Sequence, residues 1–199
     1  MTDPTRLVVG VSGASGAGLA VRLLEALAAS EGVETHLVIS AAARLTIPAE
    51  TDLSVEQVEA LANRAYRPDD IGAPIASGSF VTRGMVVIPC SIKTLSAIAH
   101  SYTADLLARA ADVTLKEGRP LLLVVREAPL HLGHLRLMTQ VAELGAIVFP
   151  AVPAFYARPT SVEDVINNIV GRVLMRLGID NALYTTWHGL EPADAEDGR

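Results

Sequence analysis

Two short segments carry the residue types best suited to chemistry: Gly10-Val11-Ser12-Gly13-Ala14-Ser15-Gly16 and Pro89-Cys90-Ser91-Ile92-Lys93-Thr94. Each ends an apolar run, Leu7 to Val11 or Met85 to Ile88, and opens a stretch with helical spacing. A strand that ends in small, hydroxyl-bearing residues at a helix N-terminus makes an anion cradle. Its free backbone N–H groups, its helix dipole and its Ser or Thr hydroxyls all favour one oxyanion. Two such cradles in one chain point to a phosphorylated ligand, a nucleotide or a flavin.

Further candidates are single residues. Lys93 stands in the first turn of its helix, where a cation opposes the dipole and is stabilised only if an anion is bound there. Arg126-Glu127 ends the apolar run Leu121 to Val125. An ion pair capping a buried strand is one reading. The other is an arginine that grips a phosphate in two places, with a proton-carrying carboxylate beside it. Lys116, Tyr156 and Arg172 are unremarkable one by one. The histidines at 36, 100, 131, 134 and 188 show no metal-ligand spacing, so no metal is expected.

The elements that must position these residues read as alternating strands and helices. Strands are expected at Arg6–Val11, Thr35–Ile39, Met85–Ile88, Leu121–Val125 and Ala146–Phe149. Helices are expected at Ala17–Ala29, Lys93–His100, Ala104–Glu117, Leu132–Leu144 and Val162–Leu177. A helical piece after Ser40 should be broken by Pro48. Ser54 and Gln57 form a capping box for a helix expected to run to about Tyr66. Residues 67–84 read as a long connection. The pattern predicts one α/β domain over residues 1–188, a doubly wound, flavodoxin-like or Rossmann-like parallel sheet, followed by a disordered acidic tail over 189–199. In such sheets ligands bind beyond the carboxyl ends of the strands. Those ends carry Ser12–Gly16, Ser40, Pro89–Thr94, Arg126-Glu127 and Pro150–Tyr156.

Composition narrows the partners. The chain has 199 residues, half of them apolar, and a net charge of −6 with no basic block, which argues against nucleic acid. The apolar excess fits a sheet buried on both faces and a surface partly covered by other subunits. No apolar run reaches the roughly 18 residues of a membrane span. One cysteine, Cys90, excludes an internal disulfide, and the N-terminus shows no secretory segment, so the cytoplasm is the expected location.

The ordered set of segments resembles the UbiX-type flavin prenyltransferases. The likeness is carried by Val9–Gly16, Ala49–Asp52, Ala76–Ser79, Pro89–Leu95, Arg109–Pro120, Val125–Pro129 and Pro153–Tyr156. The resemblance implies a flavodoxin-like fold and the joining of a dimethylallyl group, from dimethylallyl monophosphate, to N5 and C6 of reduced FMN. It also implies a homododecamer that hands prenylated FMN to a UbiD-type decarboxylase. Carried over by matching segments, FMN would be held by Gly13, Ala14, Ser15, Ser40, Ser91, Ile92, Lys93, Thr94 and Arg126. The prenyl phosphate would be held by Lys116, Arg126, Glu127, Tyr156 and Arg172, some from neighbouring subunits, with Trp187 walling the pocket. The catalytic set would be Ser15, Glu50, Lys116 and Glu127.

The chain departs from the family pattern at Arg136-Leu137, at Ala41 in place of a common lysine, at Thr186 in place of a frequent arginine, and at Thr103-Ala104-Asp105. Two other readings remain in view. A flavin-dependent cysteine decarboxylase needs a Pro-x-Met-Asn clamp, where this chain reads Arg126-Glu127-Ala128-Pro129-Leu130. A non-catalytic FMN carrier has no use for a second phosphate site.

Overall fold

Near-continuous apolar strands must be covered on both faces, and this chain covers them with helices from most of its crossovers and a last helix after the final strand. The computed structural model describes residues 4–189, so the last ten residues of the expected acidic tail lie outside the described residues. The strands are β1 (Thr5–Val11), β2 (Val33–Ile39), β3 (Arg64–Tyr66), β4 (Gly84–Cys90), β5 (Leu121–Val125) and β6 (Ile147–Val148). The helices are α1 (Ala17–Ala28), α2 (Ala43–Glu50), α3 (Val55–Glu59), α4 (Ile92–Ala99), α5 (Leu106–Lys116), α6 (Leu132–Glu143) and α7 (Val162–Arg176). Among the described residues, no helix is long and apolar enough to cross a membrane.

All strand pairs are parallel and the order is β3-β2-β1-β4-β5-β6. The expected doubly wound α/β sheet is therefore present. Without the short edge strand β3, the order is that of a flavodoxin-like sheet. The direction of winding reverses between β1 and β4, which pair in the register Leu7↔Gly84 and Val9↔Val86. Both candidate cradles leave the sheet from these two neighbouring strands.

Period-two alternation sorts each strand between two cores. Leu7, Val9 and Val11 of β1 join Val86, Ile88, α1 and α7 on one face. Val8, Met85 and Val87 join α4, α5 and α6 on the other. Gly10 lies on that second face because α5 packs close. A Cβ there would sit 3.1 Å from Leu107 Cγ and 3.1 Å from Met85 Cε.

Two local expectations are corrected. Pro48 does not break its helix, because α2 runs through it to Glu50. The missing N–H forfeits one backbone bond, but Ile47 is fully buried and anchors the turn. Thr51 ties that turn to the Ile47 carbonyl through its N–H at 3.0 Å and its hydroxyl at 2.8 Å. The helix after Ser54 keeps its capping box but stops at Glu59, and Arg64–Tyr66 becomes an edge strand. Side chains secure that edge: Asn63 Oδ1 accepts the Thr35 N–H at 2.8 Å, and the Tyr66 hydroxyl meets His36 Nδ1 at 2.9 Å.

His36 is buried beneath this edge against Phe80 and Tyr66. Its Nε2 lies 3.4 Å from Glu34 Oε1 and has no hydrogen-bond partner. Burial is the largest influence and lowers its pKa. Glu34 opposes that, while Arg6 and Arg64 reinforce it, and the net shift is below the ordinary 6.5. The unfolded chain therefore binds a proton at a higher pH than the folded one, so stability falls as pH drops below about 6.5. Thermal melts between pH 7.5 and 5.5 should show a falling midpoint for the native chain and a flatter profile for His36→Gln. Parallel profiles would remove His36 as the cause.

Candidate active site

At the carboxyl edge of the sheet, the loops after β1 and β4 run side by side. Ser12 Oγ donates to the Pro89 carbonyl at 2.8 Å and accepts the Ser91 N–H at 2.7 Å. Ser91 is the N-cap of α4: its hydroxyl accepts the Thr94 N–H at 3.3 Å and donates to Thr94 Oγ1 at 3.2 Å. The first loop also passes tightly over α2, since a Cβ on Gly13 would lie 2.3 Å from the Ala42 Cβ. Only glycine fits at that crossing.

A cleft of about 280 Å³ opens beside these loops. Gly13, Ser40, Ser91, Lys93 and Thr94 line it, all of them expected flavin contacts. Ser40 also accepts the Ala43 N–H at 3.2 Å, which starts α2. Ala14 and Ile92 face inward instead, Ala14 buried and Ile92 packed on the core beneath α4. They offer backbone rather than side chain to a ligand. The far wall was not singled out from sequence: Pro68 and Asp69 of the long connection, and Asp105 and Ala108 at the start of α5. Asp105 caps α5 through the Ala108 N–H at 2.8 Å, and Leu106 N–H reaches the Pro68 carbonyl at 2.8 Å. The cap was a readable signal; its approach to Pro68 was not.

The two helix N-termini differ in one decisive respect. At α1, Glu50 accepts the N–H groups of Gly16 at 2.7 Å and Ala17 at 2.9 Å. Burial pushes its pKa up, but these two N–H groups, the Ser15 hydroxyl and Arg126 outweigh it and hold it below the ordinary 4.5. Arg126 Nε donates to the Ser15 carbonyl at 3.0 Å, and its N–H reaches the Cys90 carbonyl. Ser15, Glu50 and Arg126 thus form one connected group, and the chain itself supplies the anion for α1. At α4 the cap is the Ser91 hydroxyl, no carboxylate among the described residues caps the helix, and Lys93 stands in the first turn.

The remaining expected residues are spread out. Glu127 is exposed, and its carboxylate accepts the Ala128 N–H at 3.1 Å. Tyr156 and Trp187 meet edge to face with centroids 5.5 Å apart, and the Tyr156 hydroxyl donates to the Thr185 carbonyl at 3.1 Å. Lys116 ends α5 at the opposite edge of the sheet, paired with Glu117 near Gly78. Arg172 is in the interior of α7, with its Nε buried and unpartnered. His131 caps α6, and its ring lies tilted against that of His134 at a centroid distance of 3.5 Å. Among the described residues, no three His, Cys, Asp or Glu side chains gather as a metal-ligand set. Cys90 is fully buried, and burial raises its thiol pKa to about 12, so it offers no nucleophile.

The sheet order, the paired cradles at its switch point and the Arg126 group define a flavin- or nucleotide-binding α/β protein. The Flavoprotein family profile matches residues 1–174. Flavin prenyltransferase UbiX of Escherichia coli (strain K12) is 60% identical over 186 residues, covering 92% of this chain and 98% of that protein. The same-named protein of Thauera aromatica is 53% identical over 194 residues, covering 98% of this chain and 100% of its own. The solved structure of AnUbiX (PadA1) in complex with FMN and dimethylallyl pyrophosphate aligns with a TM-score of 0.92 at 47% identity, over 94% of this chain and 100% of that one. A dodecameric FMN-dependent UbiX-like decarboxylase from Escherichia coli O157:H7 aligns at 0.91 and 48%, over 93% and 100%. The chain therefore belongs to the flavoprotein family and, within it, to the UbiX flavin prenyltransferases. The cysteine decarboxylase SpaF, at 21% identity and a TM-score of 0.61, shares the fold.

Removing the Glu50 carboxylate leaves the α1 N–H groups without their anion. Because the group is solvent-exposed, Glu50→Ala should cost only roughly 0.5–1 kcal/mol, a fall in melting midpoint of about 1–4 °C. The stabilisation is complete above the ordinary pKa of 4.5 and is lost as pH falls through the depressed one, so the two melting curves should converge in acid. A gap that persists at pH 3 would assign the loss to packing.

Proposed function

We propose that the chain is a flavin prenyltransferase, joining the dimethylallyl group of dimethylallyl monophosphate to N5 and C6 of reduced FMN. The observation that carries this reading is the pair of stapled loops at the switch point, one helix end satisfied by Glu50 and the other offered to a ligand anion. The residues fit a flavin: a cleft lined by hydroxyls, one ammonium and a glycine that lets backbone come close. Gly13, Ala14, Ser15, Ser40, Ser91, Ile92, Lys93, Thr94 and Arg126 hold it. Reduced FMN supplies the electron-rich atoms that accept the prenyl carbon.

The chain's own work is electrostatic. Ionising an allylic phosphate builds negative charge on the leaving group, and fixed cations stabilise that charge without a metal. Arg126 is in place beside Ser15. Lys116, Tyr156 and Arg172 complete the phosphate site across neighbouring subunits of a homododecamer. The buried, unpartnered Nε of Arg172 is a donor awaiting an acceptor. Glu50, held ionised, acts as a fixed charge and positions Ser15. Glu127 is left as the proton carrier between flavin and departing phosphate. Trp187 and Tyr156 wall the prenyl pocket and keep water from the cationic carbon. The product passes to a UbiD-type decarboxylase in the cytoplasm.

Anaerobic incubation of the protein with reduced FMN and dimethylallyl monophosphate, followed by mass spectrometry of the released flavin, should yield a flavin heavier by one five-carbon prenyl unit. Unmodified FMN, released from protein that binds it tightly, would favour the carrier reading. Arg172→Ala should raise the KM for the prenyl phosphate by about tenfold or more while changing FMN affinity little, as loss of a charged hydrogen bond implies. Equal losses in both would make Arg172 structural.

A further inference from the structure

We infer that Ser12 is a positioning residue for the flavin site, setting the spacing of the two loops between which the flavin is held. The inference rests on the flavin reading above. Ser12 is only 1% exposed and does not line the cleft, yet both its neighbours in the argument do. Gly13 follows it in the chain, and Ser91, its hydrogen-bond partner, lines the opposite side.

The side chain makes two bonds that only a group both donating and accepting can make at once. Oγ donates to the Pro89 carbonyl at 2.8 Å and accepts the Ser91 N–H at 2.7 Å. The backbone N–H of Ser12 reaches the same Pro89 carbonyl at 3.3 Å. Loss of the hydroxyl would therefore leave the carbonyl one donor but leave the Ser91 N–H with none. Ser91 is the residue that starts α4, and its own hydroxyl binds both the N–H and the Oγ1 of Thr94. One line of hydrogen bonds thus runs from the β4 end through Ser12 to Ser91 and Thr94. A displacement of Ser91 carries Thr94 and Lys93 with it. Ser12 is buried behind the cleft lining, so its effect on the flavin passes through the first turn of α4 and the adjoining Gly13.

The test compares FMN binding, by flavin fluorescence quenching and the absorption band of the bound flavin, in the native chain and in Ser12→Ala, Ser12→Thr and Ser12→Val. Threonine and valine match in volume and differ in the hydroxyl. Ala and Val should weaken FMN binding by about tenfold, the equivalent of one lost buried hydrogen bond, and shift the bound flavin's band. Thr should stay within about threefold of native. The KM for dimethylallyl monophosphate at saturating FMN should hold in all four, a split that general loss of structure would not produce. Native-like binding by Ser12→Ala, or equal binding by the Thr and Val variants, would overturn the inference. Should the larger side chains prevent folding, amide hydrogen exchange at Ser91 in Ser12→Ala decides. Exchange about tenfold faster than native supports the role, and unchanged exchange removes it. If the native chain binds no FMN, the flavin reading fails by itself, and Ser91 exchange still reports whether Ser12 couples the loops.

Discussion

Two helices that begin at neighbouring strands on the carboxyl edge of a parallel sheet leave their first N–H groups without partners inside the helix, and that positive potential must be met by something. The chain meets half of it internally. Glu50, brought round by α2, receives the first N–H groups of α1 and stays ionised because their hydrogen bonds and Arg126 outweigh its partial burial. The other half, at α4, is only partly met by the Ser91 hydroxyl, which accepts the Thr94 N–H. Lys93 adds a further positive charge where the dipole already disfavours one. An arrangement of this kind is stable to the extent that an anion completes it, which makes the phosphate or the ring of a flavin part of the electrostatic design.

The same constraint separates the roles of two carboxylates that look alike in the sequence. Glu50 accepts two backbone N–H groups and its pKa is held below the ordinary value, so it serves as a fixed charge. Among the described residues Glu127 accepts only the Ala128 N–H, one residue away, just beyond the end of β5. In the proposed mechanism, proton carriage falls to the carboxylate that no helix N-terminus engages.

Much of the architecture was legible in the sequence because it is written in local pattern. The apolar runs from Leu7 and Leu121, the helical spacing of Leu19, Leu23, Leu24 and Leu27, and the capping box at Ser54 each report on their own neighbourhood. What was misread depends on partners far away in the chain. Pro48 is tolerated because Ile47 is buried, and that burial is a property of the packed core. Arg64–Tyr66 is a strand because β2 offers an edge and Asn63 reaches Thr35 across it. The cleft's far wall joins Pro68 and Asp69 to Asp105, residues from separate connections that no spacing links. Nor does any spacing distinguish Ser12 from Ser15 in a run of small residues; burial and the bonds of Ser12 to Pro89 and Ser91 separate them.

Distance finally bears on how the phosphate site is assembled. Arg126 leaves the sheet at the carboxyl end of β5, while Lys116 ends the helix that precedes that strand and is held near Gly78 by Glu117. The eleven residues of α5 span about 16 Å between its start, which lines the cleft, and Lys116. No lysine side chain covers that distance back to the crevice of its own chain. A phosphate gripped by both Arg126 and Lys116 must therefore lie where two copies meet. On the proposed assignment of Arg126 and Lys116, the cations around the prenyl phosphate come together only on assembly, whereas the cleft beside the two loops is walled within one chain. The proposed function thus places different demands on the protein: flavin binding on the paired loops, prenyl transfer on a neighbour.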